Sequence, residues 1–174
     1  MPISPKQVSV MRGMLSALAV SALVLGAAAW LIPETWLPAD TASARMALAA
    51  RSTLFAAFWL LATIGILARH RFFTPADIDG SGLTTGTDMA RIYQAVLQNT
   101  LEQTVLAGFV YASFAALAPD RMLGALPVAA VLFWLGRALF WHGYAKGAGA
   151  RAFGFALTFY PTVMLFAATV ILAF

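Results

Sequence analysis

Five stretches of this chain are long and apolar enough to cross a lipid bilayer, and this constrains its fold more than any other feature. A spanning helix needs about 20 mostly apolar residues. The stretches run over 13–32, 46–68, 92–118, 122–141 and 152–174. Composition agrees. Of 174 residues 61% are hydrophobic and 10% charged, where a soluble domain carries about 25% charged. Mean hydropathy is +0.82. The fold class read from this is all-α, an integral membrane helical bundle.

Basic residues orient such a bundle. Lys6 and Arg12 precede or open the first span. Arg69, Arg71 and Arg91 flank the loop between spans two and three. Lys146 and Arg151 lie at the turn between spans four and five. These three groups share one side if five spans alternate. The N-terminus is therefore expected in the cytoplasm and the C-terminus outside, with Arg45, Arg51 and Arg121 at the outer side. The first span also has the marks of a signal peptide cleaved near Ala29. Its apolar run continues through Trp30, Leu31 and Ile32, which favours a retained helix. The alanine-rich, short-looped style suggests a bacterial inner membrane.

Other classes drop out. The net charge of +4 comes from scattered residues flanking apolar spans, so nucleic acid is not an expected partner. There is no cysteine, hence no disulfide, no thiolate metal site and no cysteine nucleophile. Any thiol chemistry must use a thiol that a ligand brings. The loop 77–88, DIDGSGLTTGTD, imitates a calcium loop through Asp77, Asp79, Ser81, Gly82 and Asp88. It ends in Asp where such loops end in a bidentate Glu, and Pro75 stands where the entering helix should be. It is read as a solvated, flexible loop, and no metal site is expected.

Two polar clusters interrupt the apolar pattern. In span three, Gln94, Gln98 and Glu102 fall on one helical stripe, and Asn99 and Glu102, three apart, share a face. Arg91 lies near that face. A charge at the bilayer centre costs a few kcal/mol even on mild scales, so the face looks into the bundle or a wet cavity. Arg137, inside span four, is the expected partner of Glu102. The competing reading is that these polar groups only hold helices together. The second cluster is 136–151, GRALFWHGYAKGAGAR. Arg137, Phe140 and Tyr144 share a stripe, and Arg151 follows Tyr144 by seven residues. Gly147 and Gly149 are expected to break the helix between them. Trp141 and His142 read as interfacial.

These residues together resemble the MAPEG family, the membrane-associated proteins in eicosanoid and glutathione metabolism. LTTG at 83–86 is similar to the element ahead of the family's second helix. Asn99 and Glu102 match its Asn-x-x-Glu, and Arg137, Gly143, Tyr144 and Arg151 match its Arg, Gly-Tyr, Arg series. The resemblance covers 46–174 and makes 1–45 an extra N-terminal transmembrane helix with an outer loop. It implies a homotrimer of four-helix cores in membrane lipid. Glutathione would bind as co-substrate between subunits, held by Arg91, Gln98, Asn99, Glu102, Arg137, Phe140 and Tyr144. Tyr144 and Arg151 would serve the thiolate as catalytic residues. The implied activity is a glutathione-dependent transferase or peroxidase acting on lipophilic electrophiles. The alternative is a non-catalytic scaffold of the same fold, its polar face used for trimer assembly. Three positions depart from the family pattern. Ala95 stands where active members often carry arginine, Gln103 where tyrosine follows the glutamate, and Phe140 where a second tyrosine is common.

Overall fold

The computed structural model describes residues 3–174, so Met1 and Pro2 of the expected first segment lie outside the described residues. Five helices cover most of it: α1 Pro5–Leu31, α2 Ala42–Phe73, α3 Asp88–Leu117, α4 Ala125–Tyr144 and α5 Ala148–Ala173. All five are long and apolar enough to span a membrane. Each covers most of one expected span, and α4 starts at Ala125, three residues later than expected, after a short turn at 120–122. Their ends follow local chemistry. Ser4 and Gln7 cap α1 reciprocally, with Pro5 at the first helical position. Thr41 accepts a hydrogen bond from the Ala44 amide at the start of α2, and Thr87 from the Ala90 amide at the start of α3. Gly147 takes φ 104° between α4 and α5, a backbone state that side chains with a Cβ rarely adopt. Gly149, expected to break the chain as well, sits inside α5.

The helices alternate. The starts of α1, α3 and α5 and the ends of α2 and α4 form one end of the bundle, here called lower. At the upper end Arg45 ties α2 to the close of α3. It donates to the carbonyls of Ala115 (3.1 Å) and Ala118 (2.8 Å) and pairs with Asp40 and Asp120.

Between the ends, small residues set the spacing. Helices in lipid gain little from burying apolar surface against one another and rely on close packing. A Cβ on Gly154 would lie 2.3 Å from the Phe140 amide nitrogen, and one on Gly136 2.7 Å from that of Thr158. The α4 and α5 backbones therefore touch. Against this pair pack Tyr111 and Phe114 of α3 with Leu126, Phe133 and Leu157. Helix α1 lies outside the pair. Its buried stripe, Ala17, Ser21, Leu25 and Ala28, repeats every three or four residues.

The loop after α2 differs from the expected solvated segment. It folds around Asp77, whose side chain is buried. The carboxylate accepts from the Thr87 amide (2.7 Å) and hydroxyl (2.7 Å) and lies 2.9 Å from His70 Nε2. The Thr87 bonds, with His70 beside them, hold the Asp77 carboxyl below the usual carboxylate range. Both of its oxygens close the loop, which is why the calcium-like pattern is a turn built from within.

Because Gly154 meets backbone, Gly154→Ala is expected to cost about 1–3 kcal/mol of stability, the usual range for overpacking. Gly26, with open space around it, is the control. Unfolding in detergent micelles should separate Gly154→Ala from an unaffected Gly26→Ala.

Candidate functional site

Arg137 is the centre of the lower half. It sits in the apolar helix α4, four residues after the core residue Phe133, and its side chain is almost wholly buried. Nε donates to Thr158 Oγ1 of α5 (3.1 Å), and Nη1 to Asn99 Oδ1 of α3 (2.9 Å), with Thr100 Oγ1 at 3.5 Å. The guanidinium lies 4.2 Å from the centre of the Phe140 ring. Nη2 is buried without a partner.

Here the expected pairing with Glu102 is corrected. Asn99, not Glu102, reaches Arg137. One residue step on a helix turns about 100°, so Asn99 and Glu102 are near neighbours but not superimposed. Asn99 points to α4, and Glu102 stays exposed and accepts a hydrogen bond from Gln98 Nε2 (3.0 Å). The polar stripe of α3 thus divides into an inward half and an outward half.

From Arg137 an aromatic row leads to the lower surface. Phe140 meets Tyr144 edge to face at 5.3 Å, and the Arg151 guanidinium lies 4.2 Å over the Tyr144 ring. The Gly147 turn makes this possible by bringing the first turns of α5 back against the last turn of α4. A cavity of about 340 Å³ opens beside the row, lined by Asn99, Phe140, Tyr144 and Arg151, with Val10 and Met14 of α1 and Phe155 of α5.

Arg91 and Gln98 lie elsewhere. They line a second cavity of about 360 Å³ with Arg71, Thr84, Gln94 and Ala95. Arg91 does not join Asn99. It donates to the carbonyls of Thr85 (3.2 Å) and Gly86 (2.9 Å) and pairs with Asp88. Arg71 leans over the same cavity, donating to Gln94 Oε1 (2.9 Å) and Ser81 Oγ (3.1 Å). Ala95 leaves open the space between these two arginines. At the α4 terminus His142 is exposed, 2.7 Å from Lys146 Nζ. Trp141 packs on Trp59 at 5.8 Å.

Sequence reasoning missed Thr158, Arg71, Val10 and Met14. Thr158 had a signal, seven residues after Arg151 on the same helical face. Arg71 lies beyond a loop whose course no periodicity reveals. Val10 and Met14 are ordinary apolar residues of an apolar helix.

A family model described as the MAPEG family matches residues 46–171. No curated protein and no solved structure matches the chain.

The Arg137 contacts give a stability test. Asn99→Ala leaves a buried guanidinium nitrogen with only its long contact to Thr100 and is expected to cost about 1–3 kcal/mol. Asn99→Asp restores an acceptor and should recover most of that loss. Denaturant unfolding in micelles measures both; an Ala variant as stable as the parent would deny Asn99 its part in holding Arg137.

Proposed function

Since the chain belongs to the MAPEG family, whose members serve eicosanoid and glutathione metabolism, we propose that it joins the thiol of glutathione to lipophilic electrophiles at the lower end of the bundle. The observation that carries the reading is the row Arg137, Phe140, Tyr144, Arg151 beside one cavity.

The chemistry follows from the charges. A free thiol titrates near 8.5 and is a poor nucleophile until ionised; a neighbouring cation lowers that value. Arg151 is such a cation, held in place by the Tyr144 ring. The Tyr144 hydroxyl adds a donor for the sulfur. Deeper in, Asn99 lines the cavity and presents its amide to a carboxylate or amide oxygen, with Arg137 holding its Oδ1 from behind. With an α,β-unsaturated carbonyl compound the balance is simple. The thiolate sulfur bonds to the β-carbon, the π electrons pass to the carbonyl oxygen, and a proton is taken up at the α-carbon. The thiol adds across the double bond and nothing leaves. With a hydroperoxide the same thiolate attacks the distal oxygen, the O–O bond breaks and the alkoxide leaves with a proton as the alcohol; a second thiol then condenses with the sulfenic acid to give disulfide and water.

A homotrimer belongs to this reading. Glu102 and Gln98 are exposed halfway along α3, and a carboxylate facing lipid there is costly. A second copy of the chain would cover them. It would also bring the Arg71 and Arg91 cavity of one subunit toward the Asn99 cavity of the next, so that Glu102 could meet the ligand's ammonium and the arginines its carboxylates. The lower end is then cytoplasmic, as the loop charges favour, and the host a bacterial inner membrane.

Ala95 and the Gln98–Glu102 hydrogen bond favour a second reading, a scaffold without catalysis whose polar face is satisfied within the assembly. Kinetics separate the two. Arg151→Ala is expected to slow addition of glutathione to 2-nonenal by about 10–100-fold near neutral pH, the thiolate lost when a thiol whose titration point is lowered by about one to two pH units returns to its free value. Because a cation lowers the thiol's titration point, the parent should reach its rate plateau at lower pH than Arg151→Ala, and the gap should close as the thiol ionises unaided. Arg151→Lys should restore part of the rate. Equal rates and identical pH profiles in parent and Arg151→Ala would favour the scaffold.

A further inference from the structure

Helix α1 lies entirely outside the matched residues, yet it builds part of the candidate site. Val10 and Met14 form one wall of the cavity that also holds Asn99, Tyr144 and Arg151. The same two residues and Ala148 continue into a second, strongly apolar cavity of about 530 Å³. It runs along the seam of α1 and α5 past Met11 and Leu15 to Tyr160, with Lys6 and Gln7 at its lower mouth. From Ala148 to Tyr160 is twelve residues of helix, about 18 Å at 1.5 Å per residue.

The wall is held in place. A Cβ on Gly149 would lie 2.5 Å from Ser9 Oγ, and one on Gly13 3.0 Å from the Phe153 amide nitrogen. At Gly13 the two backbones meet, and at Gly149 the α5 backbone meets the Ser9 side chain; Ser9 and Gly13 stand on either side of Val10. A helix fixed so closely beside Arg151 limits what approaches the sulfur. Val10 and Met14 have no polar atom to offer a peptide-like thiol such as glutathione. Their chemistry suits the other reactant.

We propose that α1 is the chain-binding side of the electrophile site: the hydrocarbon part of the co-substrate lies in the α1–α5 groove, and Val10 and Met14 set how wide a molecule can bring its electrophilic carbon to the Tyr144–Arg151 end. The inference rests on the thiol-addition reading for its reacting end. Selection here is by shape, since lipid and groove are equally apolar. Methionine adapts to many shapes, so its replacement by a bulkier or smaller side chain redraws the limit.

Two electrophiles with the same reacting group test this: 2-nonenal, slim and linear, and 1,3-diphenylpropenone, broad and flat. Met14→Ala is expected to shift the ratio of their kcat/KM values toward the broad one by about tenfold, and Met14→Trp to shift it as far the other way, the size of effect that small changes in apolar pockets produce. The shift should lie in KM, and Met14→Leu should behave as the parent. Alongside, a 2-alkenal bearing a diazirine at its far carbon is photolysed on the full-length protein. It should label Met11, Leu15 and Tyr160 in the parent and lose those positions in Met14→Trp. Unshifted ratios, or label spread over Leu54, Phe58 and Leu61 of α2 as heavily as over the groove, would overturn the proposal. Label confined to the groove without any thiol addition by the parent would keep the chain site and contradict the transferase reading.

Discussion

One buried guanidinium organises the lower half of this bundle. A charge inside a membrane segment costs several kcal/mol unless the protein supplies partners. Arg137 receives them from three helices: its own Phe140, Asn99 of α3 and Thr158 of α5. It forms no ion pair among the described residues. Its register against α5 depends on Gly154 and Gly136, because only backbone contact brings Thr158 close enough. The polar site and the tightest packing of the bundle are thus one arrangement.

The two ends of the bundle use arginine differently. At the upper end every Arg45 donor group in contact serves closure, through two carbonyls and two carboxylates. At the lower end Arg137 keeps a free nitrogen, Arg151 rests on an aromatic face, and Arg71 and Arg91 border an open cavity. Arg71, Arg91 and Arg151 border cavities there, while at the upper end Arg121 rests on the Trp30 ring.

Much of this could be read from the chain. The spans appear because about 20 apolar residues in a row have few other fates. Arg137, Phe140, Tyr144 and Arg151 align because helical spacing places residues seven apart on one face, and the Gly147 turn preserves that order. What failed was the partner of Arg137. Asn99 and Glu102 are equally near it by periodicity, and only the rotation of α3, set by Thr104 and Tyr111 packing on its neighbours, decides between them. The loop misled for a related reason. Asp77, spaced like a calcium ligand, turns inward because Thr87 and His70 lie in wait across a fold that glycines 80, 82 and 86 permit. The wall from α1 had no signature at all, since apolar residues in an apolar helix do not announce which neighbour they face.

The most direct measurement is calorimetric titration of glutathione into the purified, folded protein, repeated in buffers of different ionisation enthalpy. If the lower cavity takes glutathione as a thiolate, binding will be saturable and protons will be released in step with it near neutral pH. S-methylglutathione, with no thiol to ionise, will bind without that release. Absence of saturable heat at millimolar glutathione, or proton uptake that is the same for both compounds, would contradict the account.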